Sequence, residues 1–321
     1  MDAGVLIRLD RVRKQFGRKI VLDSIDLDIC AGELFGVIGA SGAGKTTLLK
    51  TIVGFLEPDE GEVLFGFRRF LKSRQDSSGL SALSRKPSRQ FNRLFGFATQ
   101  EASFYPRLTV EENLLYFAGL YGIAREEARE NADAALGMVN LSRDRHTLAE
   151  NLSQGMKKRL DIACAIVHNP KILILDEPTG DLDPALRQQI WQLIKKINES
   201  GVTIIVASHF LDELKPLCRR IALLANSRIA AVGSGAELDR IFSGREAIRI
   251  KSLPGNYRLL EYWTRSQASG YFNHISVNDK ELVVYTQHST QLAPWLFSLA
   301  RYCQETVVNF DIQAIDFAGF G

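Results

Sequence analysis

Three short runs of unbroken apolar residues punctuate the chain: LFGVIG (34–39), KILILDE (171–177) and TIIVASH (203–209). Each holds about five core residues without polar alternation, the pattern of a strand covered on both faces in a parallel sheet. A shorter run, FGFA, predicts a further strand over 95–98. Helical spacing lies between them. Met156, Leu160, Ala163 and Val167 fall on one face of a helix over 153–168, with Ser153 as its N-cap. Pro184 opens a second helix over 184–199. The alternation predicts an α/β core with a largely parallel sheet. After about residue 243 the pattern changes. It predicts strand (246–251), helix (256–266), strand (272–277), strand (281–286), helix (290–303) and strand (306–315). That order fits a small α+β sandwich of ferredoxin-like type. The expected domains are therefore 1–242 and 243–321.

Composition narrows this little. The chain has 321 residues, 45% hydrophobic and 24% charged, enough for a sizeable core. A net charge of +3 is too small to imply nucleic-acid binding, and no nucleic acid is expected as a partner. The four cysteines (Cys30, Cys164, Cys218, Cys303) and five histidines show no metal-ligand spacing, and the cysteines read as reduced structural thiols. The opening MDAGVLIRLD lacks the basic-then-apolar order of a signal peptide. The apolar runs fall far short of the about 20 residues a membrane helix needs. Work at a membrane would need another chain to cross it. Residues 68–93 are rich in Ser, Arg and Lys with one acid, Asp76, and predict an exposed loop: a solvated insertion, or a contact with lipid headgroups or a partner.

Candidate chemistry starts at 39–46, GASGAGKT, which matches G-x-x-x-x-G-K-[ST]. Gly39, Gly42 and Gly44 let the backbone curl so that successive N–H groups face phosphate oxygens. Ala40, Ser41, Ala43 and Thr47 complete that cradle. Lys45 reaches the β- and γ-phosphates, and Thr46 offers its hydroxyl to Mg²⁺. The helix beginning here presents its positive end to the anion. A chance match arises in roughly one chain in a hundred of this length at ordinary glycine content. The strand before the loop and the helix after it reduce that further.

The run 172–177 delivers Asp176 and Glu177 at the carboxyl end of a strand. Asp176 is placed to hold the Mg²⁺ shell, and Glu177 to orient or deprotonate an attacking water. One such pair alone would read as helix-terminal charge. Four predicted strands, however, end at Gly39, Gln100, Asp176–Glu177 and His209. Ligands of open α/β sheets bind beyond that edge.

With NLSQGMKKRL (151–160) and EPTGDLDP (177–184) added, the chain from about 5 to 240 resembles the ABC ATPases. The resemblance implies a P-loop cassette with ATP and Mg²⁺ as cofactors and a helical subdomain over about 101–168. TVEENLLYFAGLYG (109–122) and the run 152–184 look like ATPase subunits of ABC-2-type drug, antibiotic or polysaccharide exporters. By this resemblance Phe16 would stack on adenine, and Gln100 would sense Mg²⁺ and the attacking water. Ser153 and Gly155 would contact ATP held by a second subunit, a homodimer partner or paralogue. Asp183 would communicate across that dimer. His209 would stabilise the γ-phosphate. Phe104, Tyr105, Tyr116, Phe117 and Tyr121 would either receive a multi-span permease or pack their own helix. The expected location is cytoplasmic, peripheral on the inner face of the cell membrane.

There are departures: Gln154 stands where the signature commonly has Gly, and Asp181 where the family often has Gly or Ala. An importer motor would share the chemistry. A soluble ABC protein acting on DNA or ribosomes would differ, but 45–153 leaves no room for a long coiled-coil insertion and only one cassette is present.

Overall fold

The computed structural model describes residues 4–66, 81–82, 89–180, 182–242, 246–272, 274–277 and 281–314. One compact unit spans Met1–Ala236 and another Glu237–Gly319.

The larger unit opens with β1 (Val5–Phe16), β2 (Lys19–Cys30) and β3 (Leu34–Ile38), then α1 (Lys45–Ile52), β4 (Glu60–Phe65), β5 (Ser81–Ala82) and α2 (Arg89–Asn92). It continues through β6 (Phe95–Ala98), α3 (Val110–Leu120), α4 (Arg125–Val139), α5 (Gln154–Ile166), β7 (Ile172–Asp176), α6 (Pro184–Glu199), β8 (Thr203–Ser208), α7 (Leu211–Leu214), β9 (Arg220–Ala225) and β10 (Arg228–Gly233). The helix α8 (Gly235–Phe242) follows. One sheet, ordered β2-β1-β4-β5, is antiparallel. The other, ordered β10-β9-β3-β8-β7-β6, is parallel except for β10. The strands β3, β7 and β8 are buried at every position, which is why their sequences do not alternate. Leu48, Leu49 and Ile52 of α1 pack with Ile7, Leu22 and Ile25 of the antiparallel sheet and with Val37 and Ile205 of the parallel one. The helix after the phosphate loop is thereby anchored in the main core.

The antiparallel sheet went unforeseen in the sequence. Its long strands carry register shifts, between Leu9 and Val12 for example, which interrupt the alternation in β1, whereas in β2 the alternation of Ile25, Leu27 and Ile29 with Asp26 and Asp28 was a legible signal. The segment 68–93 needs correction at its end. Most of it lies outside the described residues, but Phe91 on α2 is buried, edge-on to Phe65 with ring centroids 5.2 Å apart. Loop composition masks a core aromatic there. Asp181 also lies outside the described residues.

The smaller unit contains β11 (Glu246–Leu253), α9 (Tyr257–Gln267), β12 (His274–Val277), β13 (Leu282–Thr286), α10 (Ser289–Tyr302) and β14 (Thr306–Ala314). Its sheet order, β12-β13-β11-β14, is antiparallel throughout, the ferredoxin-like arrangement. Ile248, Ile250, Leu260, Leu282, Val284, Leu292 and Leu296 form its core.

Candidate functional site at the carboxyl edge of the parallel sheet

Register sets the site. Ile38 pairs with Ser208 and Asp176 with Ala207, so the chain leaves β3, β7 and β8 at one level of the sheet. The residues that follow converge.

The loop after β3 turns sharply. Gly42 and Gly44 have φ of 81° and 107°, conformations that a side chain would strain. A Cβ on Gly39 would stand 2.5 Å from the Leu224 carbonyl oxygen of β9. Only glycine lets the loop lie that close to the neighbouring strand. Lys45, buried at the first turn of α1, donates from Nζ to the carbonyls of Gly39 (2.7 Å) and Ala40 (3.1 Å). Its third neighbour is Glu177 Oε1 at 3.2 Å. Thr46 Oγ1 donates to Asp176 Oδ2 at 2.6 Å.

Asp176 is buried, and burial pushes its carboxyl above the usual carboxylate range, opposed by the Thr46 hydrogen bond and helped by the nearby Glu177 charge. Its Oδ1 has no hydrogen-bond partner among the described residues. A buried carboxylate oxygen left without a partner, next to a hydroxyl, is a hard-oxygen donor set. It fits Mg²⁺, which typically takes one or two protein oxygens and leaves the rest to phosphate and water. Glu177 adopts φ of 51°, left-handed for a non-glycine residue, while its N–H donates to Ala207 O at 3.0 Å. This turn directs the carboxylate back over the loop. Its Oε2 lies 2.8 Å from His209 Nδ1.

Lys45, Thr46, Asp176, Glu177 and His209 thus form one cluster, the Thr46–Asp176 pair lying beside the Lys45–Glu177–His209 chain of contacts through its neighbours in sequence. No hydrogen bond or ion pair among the described residues joins Phe16, Gln100, Ser153, Gly155 or Asp183 to it. Phe16 is about half exposed at the end of β1, with Lys14 Nζ 5.7 Å from its ring centre. Gln100 is exposed just past β6. Ser153 caps α5, accepting from Met156 N at 3.3 Å. Gly155 is buried, and a Cβ there would meet Leu186 Cδ2 at 2.8 Å. Asp183 caps α6, accepting from the N–H groups of Ala185 and Leu186, both at 2.9 Å.

The aromatic set divides. Tyr105, Tyr116 and Phe117 cluster, with the first two rings 4.8 Å apart and exposed. Phe104 is buried, and Tyr121 stacks on His168 at 3.6 Å, so these two are packing residues. Sequence reasoning also missed Asp161, fully buried on α5, whose Oδ1 accepts from Ser103 N (2.9 Å) and Oγ (2.7 Å). An acid on the apolar face of an amphipathic helix was the available signal.

A glycine-cornered phosphate loop ahead of a helix, with acids at the end of β7, a parallel strand separated from β3 by β8 alone, defines a P-loop nucleotide-binding protein. The family model described as "ABC transporter" matches residues 22–180. The linearmycin resistance ATP-binding protein LnrL of Bacillus subtilis (strain 168) is 30% identical over 279 residues, 87% of this chain and 84% of that protein. The Nod factor export ATP-binding protein I of Burkholderia thailandensis is 34% identical over 280 residues, 86% of this chain and 88% of that protein. A solved ATP-binding cassette of an ABC transporter superposes with a TM-score of 0.64 at 27% identity, over 74% of this chain and 95% of that one. This chain belongs to the ABC transporter family, as an ATP-binding and ATP-hydrolysing subunit. No helix among its described residues is long and apolar enough to cross a membrane.

Proposed function

We propose that this chain is the motor of an exporter, hydrolysing ATP to drive a separate multi-span permease. The observation that carries the hydrolytic part is the Lys45–Glu177–His209 cluster at the edge where the phosphate loop opens. The direction of transport rests on relatives whose names concern export and resistance.

In this reading the backbone N–H groups of Gly39, Ala40, Ser41, Gly42, Ala43, Gly44, Lys45, Thr46 and Thr47 hold the phosphates, and Phe16 stacks on adenine. Thr46 and Asp176, with Gln100, hold Mg²⁺, which when bound supplies charge neutralisation on the phosphates. Glu177 accepts a proton from the attacking water. The His209 ring is oriented by its bond to Glu177 and faces the γ-phosphate. Ser153 and Gly155, at the start of α5, serve the nucleotide of a second ATP-binding subunit, identical or a paralogue, and Asp183 links the two. Residues 1–242 form the ATPase domain and 243–321 an accessory domain. The protein sits peripherally on the cytoplasmic face of the membrane, and the Tyr105–Tyr116–Phe117 cluster, with both tyrosines exposed, is the permease contact.

The test is affinity purification of the Glu177→Gln protein with ATP from gently solubilised native membranes, read by mass spectrometry. Stoichiometric recovery of a multi-span protein is expected, and its topology separates exporter from importer. Recovery of only soluble proteins, ribosomes or DNA would overturn the transport reading.

A further inference from the structure

A second polar network, distinct from the phosphate-loop cluster, surrounds Glu213 on α7. Both of its carboxylate oxygens are engaged. Oε2 accepts from Thr179 Oγ1 at 2.6 Å, and Oε1 accepts from Arg187 Nη1 at 3.0 Å. Arg187, on the first turn of α6, also donates from Nε to the Leu182 carbonyl at 2.7 Å. Its guanidinium lies 5.1 Å from the centre of the Phe210 ring, which in turn contacts the His209 ring at 3.8 Å between centres. Thr179 is buried, and Glu213 is mostly so.

The placement of these groups matters more than their number. Thr179 and Leu182 belong to the segment that leaves Glu177 and leads into α6. Glu213 lies four residues after His209, and Phe210 lies next to it. One carboxylate therefore ties the segment after Glu177 to the segment after His209. The loop is closed on the other side by the 2.8 Å contact between Glu177 and His209 themselves. Glu177 holds a left-handed backbone conformation that its own side chain does not favour. A conformation of that kind persists only where its surroundings over-determine it. The Thr179–Glu213–Arg187 bonds, charge-assisted and partly buried, are suited to that task.

We propose that Glu213 is a positioning residue for ATP hydrolysis: through Thr179 and Arg187 it holds the segments bearing Glu177 and His209 in the relation that aligns the two side chains. This rests on the reading of Glu177 as the base. Glu213 itself touches no reacting atom. Its removal is expected to slow turnover without weakening ATP binding, since the phosphate loop takes no part in the network.

The test measures kcat and KM for ATP, and the dissociation constant for a fluorescent trinitrophenyl-ATP, in the full-length chain. Glu213→Ala and Thr179→Val should each lower kcat about 10- to 100-fold, the usual effect of small misalignments of reacting groups. KM and the dissociation constant should stay within about threefold of the parent. The double variant should be no slower than the slower single one, because both act through one bond. Glu213→Gln, which can still accept from Arg187 and donate to Thr179, should recover part of the loss. Thr179→Val keeps the side-chain shape and carries the test alone should Glu213→Ala fail to fold. An unchanged kcat in Thr179→Val, or equal losses in kcat and nucleotide affinity, would overturn the proposal. The two readings fail separately. Near-normal turnover in Glu177→Gln sinks the base assignment, whereas an inactive Glu177→Gln beside a fully active Thr179→Val sinks only the role of Glu213.

Discussion

His209 Nδ1 and Glu177 Oε2 stand 2.8 Å apart, although 32 residues separate them in the chain. The other oxygen of the same carboxylate meets Lys45 at 3.2 Å. Glu177 thus links the phosphate loop to the end of β8. Replacing it by Gln removes the base and the charge but little volume. Turnover should fall about 10²–10⁴-fold while ATP binding persists. Steady-state hydrolysis beside equilibrium nucleotide binding measures both, and near-normal hydrolysis would refute the role.

Gly39 and Gly137 make opposite predictions for the same substitution. Gly39→Ala places a Cβ 2.5 Å from a backbone carbonyl of β9, and neither strand nor loop can yield cheaply. It should cost about 1–3 kcal/mol of stability and weaken ATP binding by displacing the loop. Gly137→Ala, in the last turn of α4 with nothing within 4 Å of the new atom, should stabilise by up to about 0.5–1 kcal/mol. Denaturant unfolding decides, and equal effects would show that the two environments are misjudged.

Asp183 allows its capping role to be separated from the cross-subunit role. As the N-cap of α6 it accepts two backbone N–H groups. Asp183→Ala should cost about 1 kcal/mol, and Asp183→Ser should recover most of that. If Asp183 also serves a second subunit, the Ser variant will be stable yet impaired in ATP hydrolysis. Normal hydrolysis in a stable Ser variant would leave Asp183 as a cap alone.

Asp161 predicts a pH dependence. Burial raises its carboxyl above the ordinary 3.8, opposed by the Ser103 bonds and the charge of Lys158. A raised value in the folded state means that the protonated form fits the fold better. The stability it contributes is complete below pH 3.8 and is lost as pH rises through the folded-state value. Each pH unit of displacement corresponds to about 1.4 kcal/mol. Asp161→Asn keeps an acceptor for Ser103 and does not titrate. The melting temperature of the Asn variant relative to the parent should therefore climb as pH increases above 3.8 and then level off. A constant difference across that range would contradict the assignment.

The sequence by itself determined the fully buried strands β3, β7 and β8, because a parallel strand covered on both faces must be apolar throughout. It determined the phosphate loop too, since glycine spacing before a helix is a backbone requirement written in consecutive residues. The whole succession of elements in the smaller unit, from β11 to β14, was legible for the same local reason: short elements with clean periodicity. Tertiary structure alone decided the rest. Register shifts interrupt the alternation along β1 and the first half of β2, leaving only Ile25, Leu27 and Ile29 against Asp26 and Asp28 as a clean signal, and Phe91 reaches the core only because Phe65 and Phe95 surround it. Thr179, Arg187 and Glu213 look like ordinary polar residues of a loop and two helices until the strand ends bring them within bonding distance. Hydrophobic burial follows local patterns that a sequence displays. A hydrogen bond between distant residues depends on where two separate segments arrive, and the packed sheet fixes that.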